Sequence, residues 1–91
     1  MTVGAGTATR KRRTSIVRKI LKRYDLAGRA TVKANPLTTD ETLISGLGSG
    51  EAVTRFLAQL REDSRVEAVS EIDTPALHVI SVQWKVHVGG A

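Results

Sequence analysis

Ser49–Val88 reads SGEAVTRFLAQLREDSRVEAVSEIDTPALHVISVQWKVHV, and the spacing of its apolar residues decides the fold. In Glu51–Asp63, Ala52, Val53, Phe56, Leu57 and Leu60 recur at helical spacing and leave the opposite face polar. Beyond it, Arg65–Asp73 and Leu77–Val88 alternate with the period of two that puts successive side chains on opposite faces of a strand. Thr74-Pro75-Ala76 turns the chain between them. The stretch therefore reads helix, strand, tight turn, long strand.

Parity sets the expected register of that hairpin. Val66, Ala68 and Ile72 form one set, and Ile80, Val82, Trp84, Val86 and Val88 form the other. Both sets reach the core when paired residue numbers sum to about 150, so that Val66 meets Trp84 and Ala68 meets Val82. Glu67, Val69, Glu71 and Asp73 then lie on the outer face, opposite Gln83, Ser81, Val79 and Leu77. A slip of one residue would turn Trp84 to water, so burial itself opposes the slip.

The first half repeats the pattern. Ile16, Val17, Ile20, Leu21 and Tyr24 form an apolar stripe that matches the later helix at an offset of 36 residues. The same offset carries Ala30, Val32 and Ala34 onto Val66, Ala68 and Ser70. Thr14 or Ser15 is the expected helix cap and Gly28 the expected terminator. Arg29–Asn35 and Glu41–Leu47 come next as strands, with Asn35-Pro36 and Thr38-Thr39-Asp40 as turns. Pro36 argues for edge or terminal positions here rather than the middle of a sheet. Residues 1–13 are expected to form a disordered basic tail, and residues 14–91 a single domain.

Helix–strand–strand twice predicts an α+β fold: a four-stranded antiparallel sheet with both helices on one face. This is a ferredoxin-like arrangement, strand–helix–strand twice, begun at its first helix and ended with its first strand. Leu77–Val88 is then a central strand. The conventional order, with Thr2–Ala8 as a first strand, is the alternative.

Gly50–Ile72, GEAVTRFLAQLREDSRVEAVSEI, resembles the second half of ACT-like regulatory domains, in which a helix ending in leucine leads through an acidic turn to a V-x-x-V strand. Leu60, Val66 and Val69 occupy those positions. Val82-Gln83-Trp84-Lys85-Val86 is similar to the end of the ACT-like C-terminal domain of the MgtC/SapB family. The resemblance covers a quarter of the chain. It implies an ACT-like domain serving small-molecule sensing or dimerisation. The extra C-terminal hairpin departs from the pattern, and no ligand site carries over.

Composition narrows the chemistry. Ninety-one residues suffice for one small core. The absence of cysteine removes disulfides, thiolate metal sites and cysteine nucleophiles, and suits a cytoplasmic protein. No apolar run approaches the roughly 18 residues of a membrane span. His78 and His87 stand nine apart on one strand and face opposite ways, so they do not share a metal. Ser81 and His87 are roughly 20 Å apart along the strand, too far for a nucleophile and its base. Gly46-Leu47-Gly48-Ser49-Gly50 precedes a helix, but Glu51 stands where a dinucleotide site needs glycine and would repel phosphate. No cofactor, metal or catalytic set is expected, and the chain is read as non-enzymatic.

Charge carries the remaining signal. Residues 1–35 hold ten Lys or Arg against Asp25 alone, whereas residues 36–91 hold four against eight acids. Arg10, Lys11, Arg12, Arg13, Arg18, Lys19, Lys22 and Arg23 form a candidate polyanion-binding segment, with nucleic-acid phosphates as one partner and a solvated helix face as the plain alternative. An anionic membrane surface is a further alternative, weakened by the need of the helix's apolar stripe for the core. Tyr24, Phe56 and Trp84 all fall on core positions, which leaves no aromatic platform for base stacking. The asymmetry also admits head-to-tail self-association, basic half against acidic half. Val69, Leu77 and Val79 on the outer face are the candidate self-association residues, and a homodimer is expected. A regulatory or assembly module and a sequence-tolerant nucleic-acid binder are the two readings, in that order.

Overall fold

The computed structural model describes residues 2–38 and 40–85, with side chains from Thr9 onward. The elements are α1 (Thr2–Arg23), β1 (Thr31–Ala34), β2 (Glu41–Ser45), α2 (Glu51–Glu62), β3 (Val66–Thr74) and β4 (Leu77–Trp84). The sheet is antiparallel throughout, in the order β1-β2-β4-β3. This is the ferredoxin-like order in permuted form, with β4 central as expected. The region 2–8 belongs to α1 and not to a first strand.

The two helix–strand–strand units are spatial counterparts. Exchanging β1 with β3 and β2 with β4 leaves the strand order unchanged. Val17, Ile20 and Leu21 of α1 and Val53, Phe56, Leu57 and Leu60 of α2 enter one core with Val32, Ile44, Val66, Ile80, Val82 and Trp84. Neither unit buries its helix face or sheet face without the other.

α1 departs from expectation at both ends. It starts at Thr2, so Arg10–Arg13 belongs to a helix and not to a loose tail. Thr14 does not cap; its hydroxyl donates to the carbonyls of Arg10 (3.1 Å) and Lys11 (3.0 Å), the bonding of a hydroxyl inside a helix. The helix stops at Asp25, which adopts φ 59°, rather than at Gly28. Leu26 N–H donates to Leu21 O at 2.9 Å and Asp25 N–H to Lys22 O at 3.1 Å. Together these bonds make a left-handed termination closed by the apolar contact of buried Leu26.

The β3–β4 register also differs from expectation. Val66 pairs with Trp84 as predicted, but a bulge at Glu67 shifts the remainder of β3, so that Ala68 meets Gln83 and Val69 meets Val82. The turn shortens to Pro75-Ala76, between Thr74 and Leu77. Val69 packs against the core, whereas Ala68 and Ile72 move to the open face. Glu71 and Asp73 move to the helix side, opposite Ile80 and His78. One inserted residue inverts the facing of everything after it in β3. The β2–α2 connection imposes a separate constraint. Gly46 has φ 90°, and a Cβ there would lie 2.5 Å from the Arg29 carbonyl oxygen, so only glycine fits.

Trp84 ties these parts together. It is buried, and its indole N–H donates to Thr42 Oγ1 at 2.8 Å inside the core. Its backbone N–H donates to Asp40 O at 2.8 Å. Trp84 fluorescence is expected to be blue-shifted and weakly quenched by iodide. Trp84→Ala should lose about 3–5 kcal/mol in denaturant unfolding. Thr42→Val, which leaves the indole N–H unpaired, should lose about 1–3 kcal/mol. A red-shifted, freely quenched indole would contradict the packing.

Candidate interaction surfaces

The helices cover one face of the sheet and leave the other open. On the open face, Lys33 of β1, Glu41 and Leu43 of β2, Leu77, Val79, Ser81 and Gln83 of β4, and Ala68, Ser70 and Ile72 of β3 share one side by register. Ile72 and Leu77 are 52% and 53% exposed. Val79 and Leu43 are half-buried beside them, so these four make an apolar patch at the hairpin end and centre of the face. Of the expected self-association residues, Leu77 and Val79 stand where parity put them. Val69 does not, because the bulge turns it inward, and Ile72 takes its place.

A polar anchor closes the other end of this face. Glu41 accepts hydrogen bonds from the hydroxyl of Ser81 and from Asn35 Nδ2. The Ser81 bond first, and the Asn35 bond after it, hold the Glu41 carboxyl below its ordinary pKa, against a smaller opposing effect of desolvation. Ser81 thus donates to Glu41 on the open face, while His78 faces the helices, its Nε2 3.6 Å from Glu71 Oε1. The two cannot act as nucleophile and base. His87 lies outside the described residues. Among the described residues, no three His, Asp or Glu side chains are grouped to hold a metal ion.

The eight candidate cations divide into two groups. Arg10 and Arg13 turn toward the fold. Arg13 pairs with Asp40 at 3.1 Å, donates to Lys85 O at 3.4 Å, and lies 5.7 Å from the centroid of the Trp84 ring. Arg10 Nη2 donates to Pro36 O at 3.5 Å. Both lie on the core-side stripe of α1, one and two turns before Val17, which is why they reach the sheet. Lys11, Arg12, Arg18, Lys19, Lys22 and Arg23 are exposed. At about 100° per residue, they occupy one arc of α1 that carries no acid and is about 18 Å long.

Arg18, Lys19 and Lys22 also line a groove of about 530 Å³ between α1 and β1, floored by Leu21 and Val32. In the turn between α2 and β3, Arg65 forms a two-pronged pair with Asp63, at 2.9 and 2.7 Å. These side-chain bonds hold the Asp63 carboxyl below its ordinary pKa, and they fix the α2–β3 turn.

No family model, curated protein or solved structure matches the chain. No described helix is long and apolar enough to cross a membrane.

Proposed function

We propose that this chain is a non-enzymatic regulatory or assembly module of ACT-like type, and that it forms a homodimer through the open face of its sheet. The observation that carries this reading is the uncovered apolar patch of Ile72, Leu77, Val79 and Leu43. A half-covered sheet with large aliphatic side chains in water gains free energy when a second sheet excludes that water. The polar rim of Lys33, Glu41 and Gln83 keeps the free form soluble. Four strands at about 4.8 Å, and an eight-residue β4 at about 3.4 Å per residue, give a footprint of about 500 Å². This falls below the roughly 800 Å² per partner of a standard interface, so the pairing is of the weak, reversible kind.

A second reading rests on the acid-free arc of α1, which presents six cations to a polyanion such as a nucleic-acid backbone. Arg10 and Arg13, engaged with the fold, take no part in it.

Sedimentation at micromolar concentration in about 1 M salt, where contacts between charges are screened, should show a monomer–dimer equilibrium, weakened by Val79→Lys with the fold intact by circular dichroism. A Val79→Lys variant that dimerises as the native chain does would overturn the open-face reading. For the second reading, gel shifts with unrelated DNA and RNA sequences should show affinity falling with salt. Lys19→Ala with Arg23→Ala should lower the salt slope by about two, while Arg13→Ala leaves it unchanged. Absence of binding to either nucleic acid at low salt would leave the arc as a solvated face.

A further inference from the structure

The two edges of the sheet carry opposite charge and run in opposite directions. β3 is an edge strand of nine residues, with Glu67, Glu71 and Asp73 and no basic side chain. β1 is the other edge, with Lys33 on the strand and Arg18, Lys19 and Lys22 of α1 lining the groove beside it. The charge division between the halves of the sequence has thus become a division between the edges. The bulge at Glu67 sharpens it. By turning Glu71 and Asp73 to the helix side, it puts the acids on the same side of the sheet as the cations bordering β1.

We infer that these edges bind each other between copies, β3 of one chain pairing with β1 of the next, to make a head-to-tail assembly. Strand direction alternates along β1-β2-β4-β3, so β3 runs opposite to β1. A second copy placed by simple translation therefore sets its β1 antiparallel to β3 of the first. The helices of both copies stay on one side, and the ladder continues without reversal. In that arrangement Glu71 and Asp73 approach Arg18, Lys19 and Lys22 of the neighbour, and the unpaired N–H and C=O groups of both edges find partners.

Charge also selects this pairing over its rivals. Two β3 edges would bring acids together, and two β1 edges would bring cations together; both are penalised. Edge charges ordinarily block sheet extension. Here the two edges have opposite signs, so they block only like pairings and leave one direction of growth. Such a contact does not close on itself and gives open chains of copies rather than a fixed dimer. It uses neither the open face nor Val79, and it is independent of the pairing proposed for that face.

The test is made with the full chain carrying Val79→Lys, so that open-face pairing does not contribute. Two further variants reverse the charge of one edge each, Glu71→Lys with Asp73→Lys, and Lys19→Glu with Lys22→Glu. Circular dichroism confirms that each is folded. At low salt the Val79→Lys chain should form species larger than dimers, increasing with concentration in sedimentation velocity. These should dissolve in about 1 M salt, where the screening length is about 3 Å. Each edge variant alone should be monomeric. Their equimolar mixture should associate again, because each reversed edge now meets its complement. A Val79→Lys chain that remains monomeric at low salt, or a mixture no more associated than its separate components, would overturn the inference.

Discussion

The buried indole of Trp84 is the constraint on which the rest of the structure depends. A tryptophan in a small core must give its N–H a partner, and Thr42 on the neighbouring strand supplies one. That bond joins β4 to β2 across the centre of the sheet, where the two helix–strand–strand units meet. The backbone bond from Trp84 to Asp40, and the Arg13 guanidinium paired with Asp40 near the indole ring, extend the same anchor to α1. Orientation of α1 on the sheet therefore depends on the end of β4. One consequence is a division of labour among the cations. Arg10 and Arg13 hold the helix, and the remaining six are left to the solvent.

With the helices held on one face, the other surfaces of the sheet acquire their character from the bulge at Glu67. The bulge brings Val69 into the core beside Val82 and puts Ile72 outside beside Val79 and Leu77. It also turns Glu71 and Asp73 to the helix side. The open face thereby loses two acids and exchanges Val69 for Ile72, while the β3 edge becomes acidic on the side that matches the basic edge. A single inserted residue shapes both proposed contacts.

Periodicity made the order of elements, the central position of β4 and the burial of Trp84 legible, because long apolar patterns report which face of an element is covered. The bulge was not legible to counting by twos, which assumes an uninterrupted pleat. Its trace is nevertheless present: Val66, Ala68, Val69 and Ile72 do not all fit one parity. The extension of α1 to Thr2 carries no apolar stripe and so gave no periodic signal; helix growth from an anchored segment is cooperative. Glycine is the usual mark of a helix end, but Asp25 also adopts the left-handed conformation and ends α1 before Gly28. Among the cations, extending the stripe of Val17, Ile20 and Tyr24 backward reaches Arg13 and Arg10, a signal that a count of positive charges overlooks. Alternation makes the open-face positions of Leu77 and Val79 legible, whereas the bulge puts Ile72 where alternation places Val69.

The bulge leaves Val69 inside and Ile72 outside, on the face proposed to pair with a second copy. Methyl-resolved NMR with a soluble paramagnetic agent measures both parts at once. In dilute samples the Ile72 and Leu77 methyl signals should broaden strongly, Val69 weakly, and Ile44 and Ile80 hardly at all. On concentrating the sample, Ile72 and Leu77 should become protected while the core methyls do not change. A dilute sample in which Val69 broadens as strongly as Ile72 would contradict the fold. Persistent broadening of Ile72 and Leu77 at high concentration would contradict the pairing.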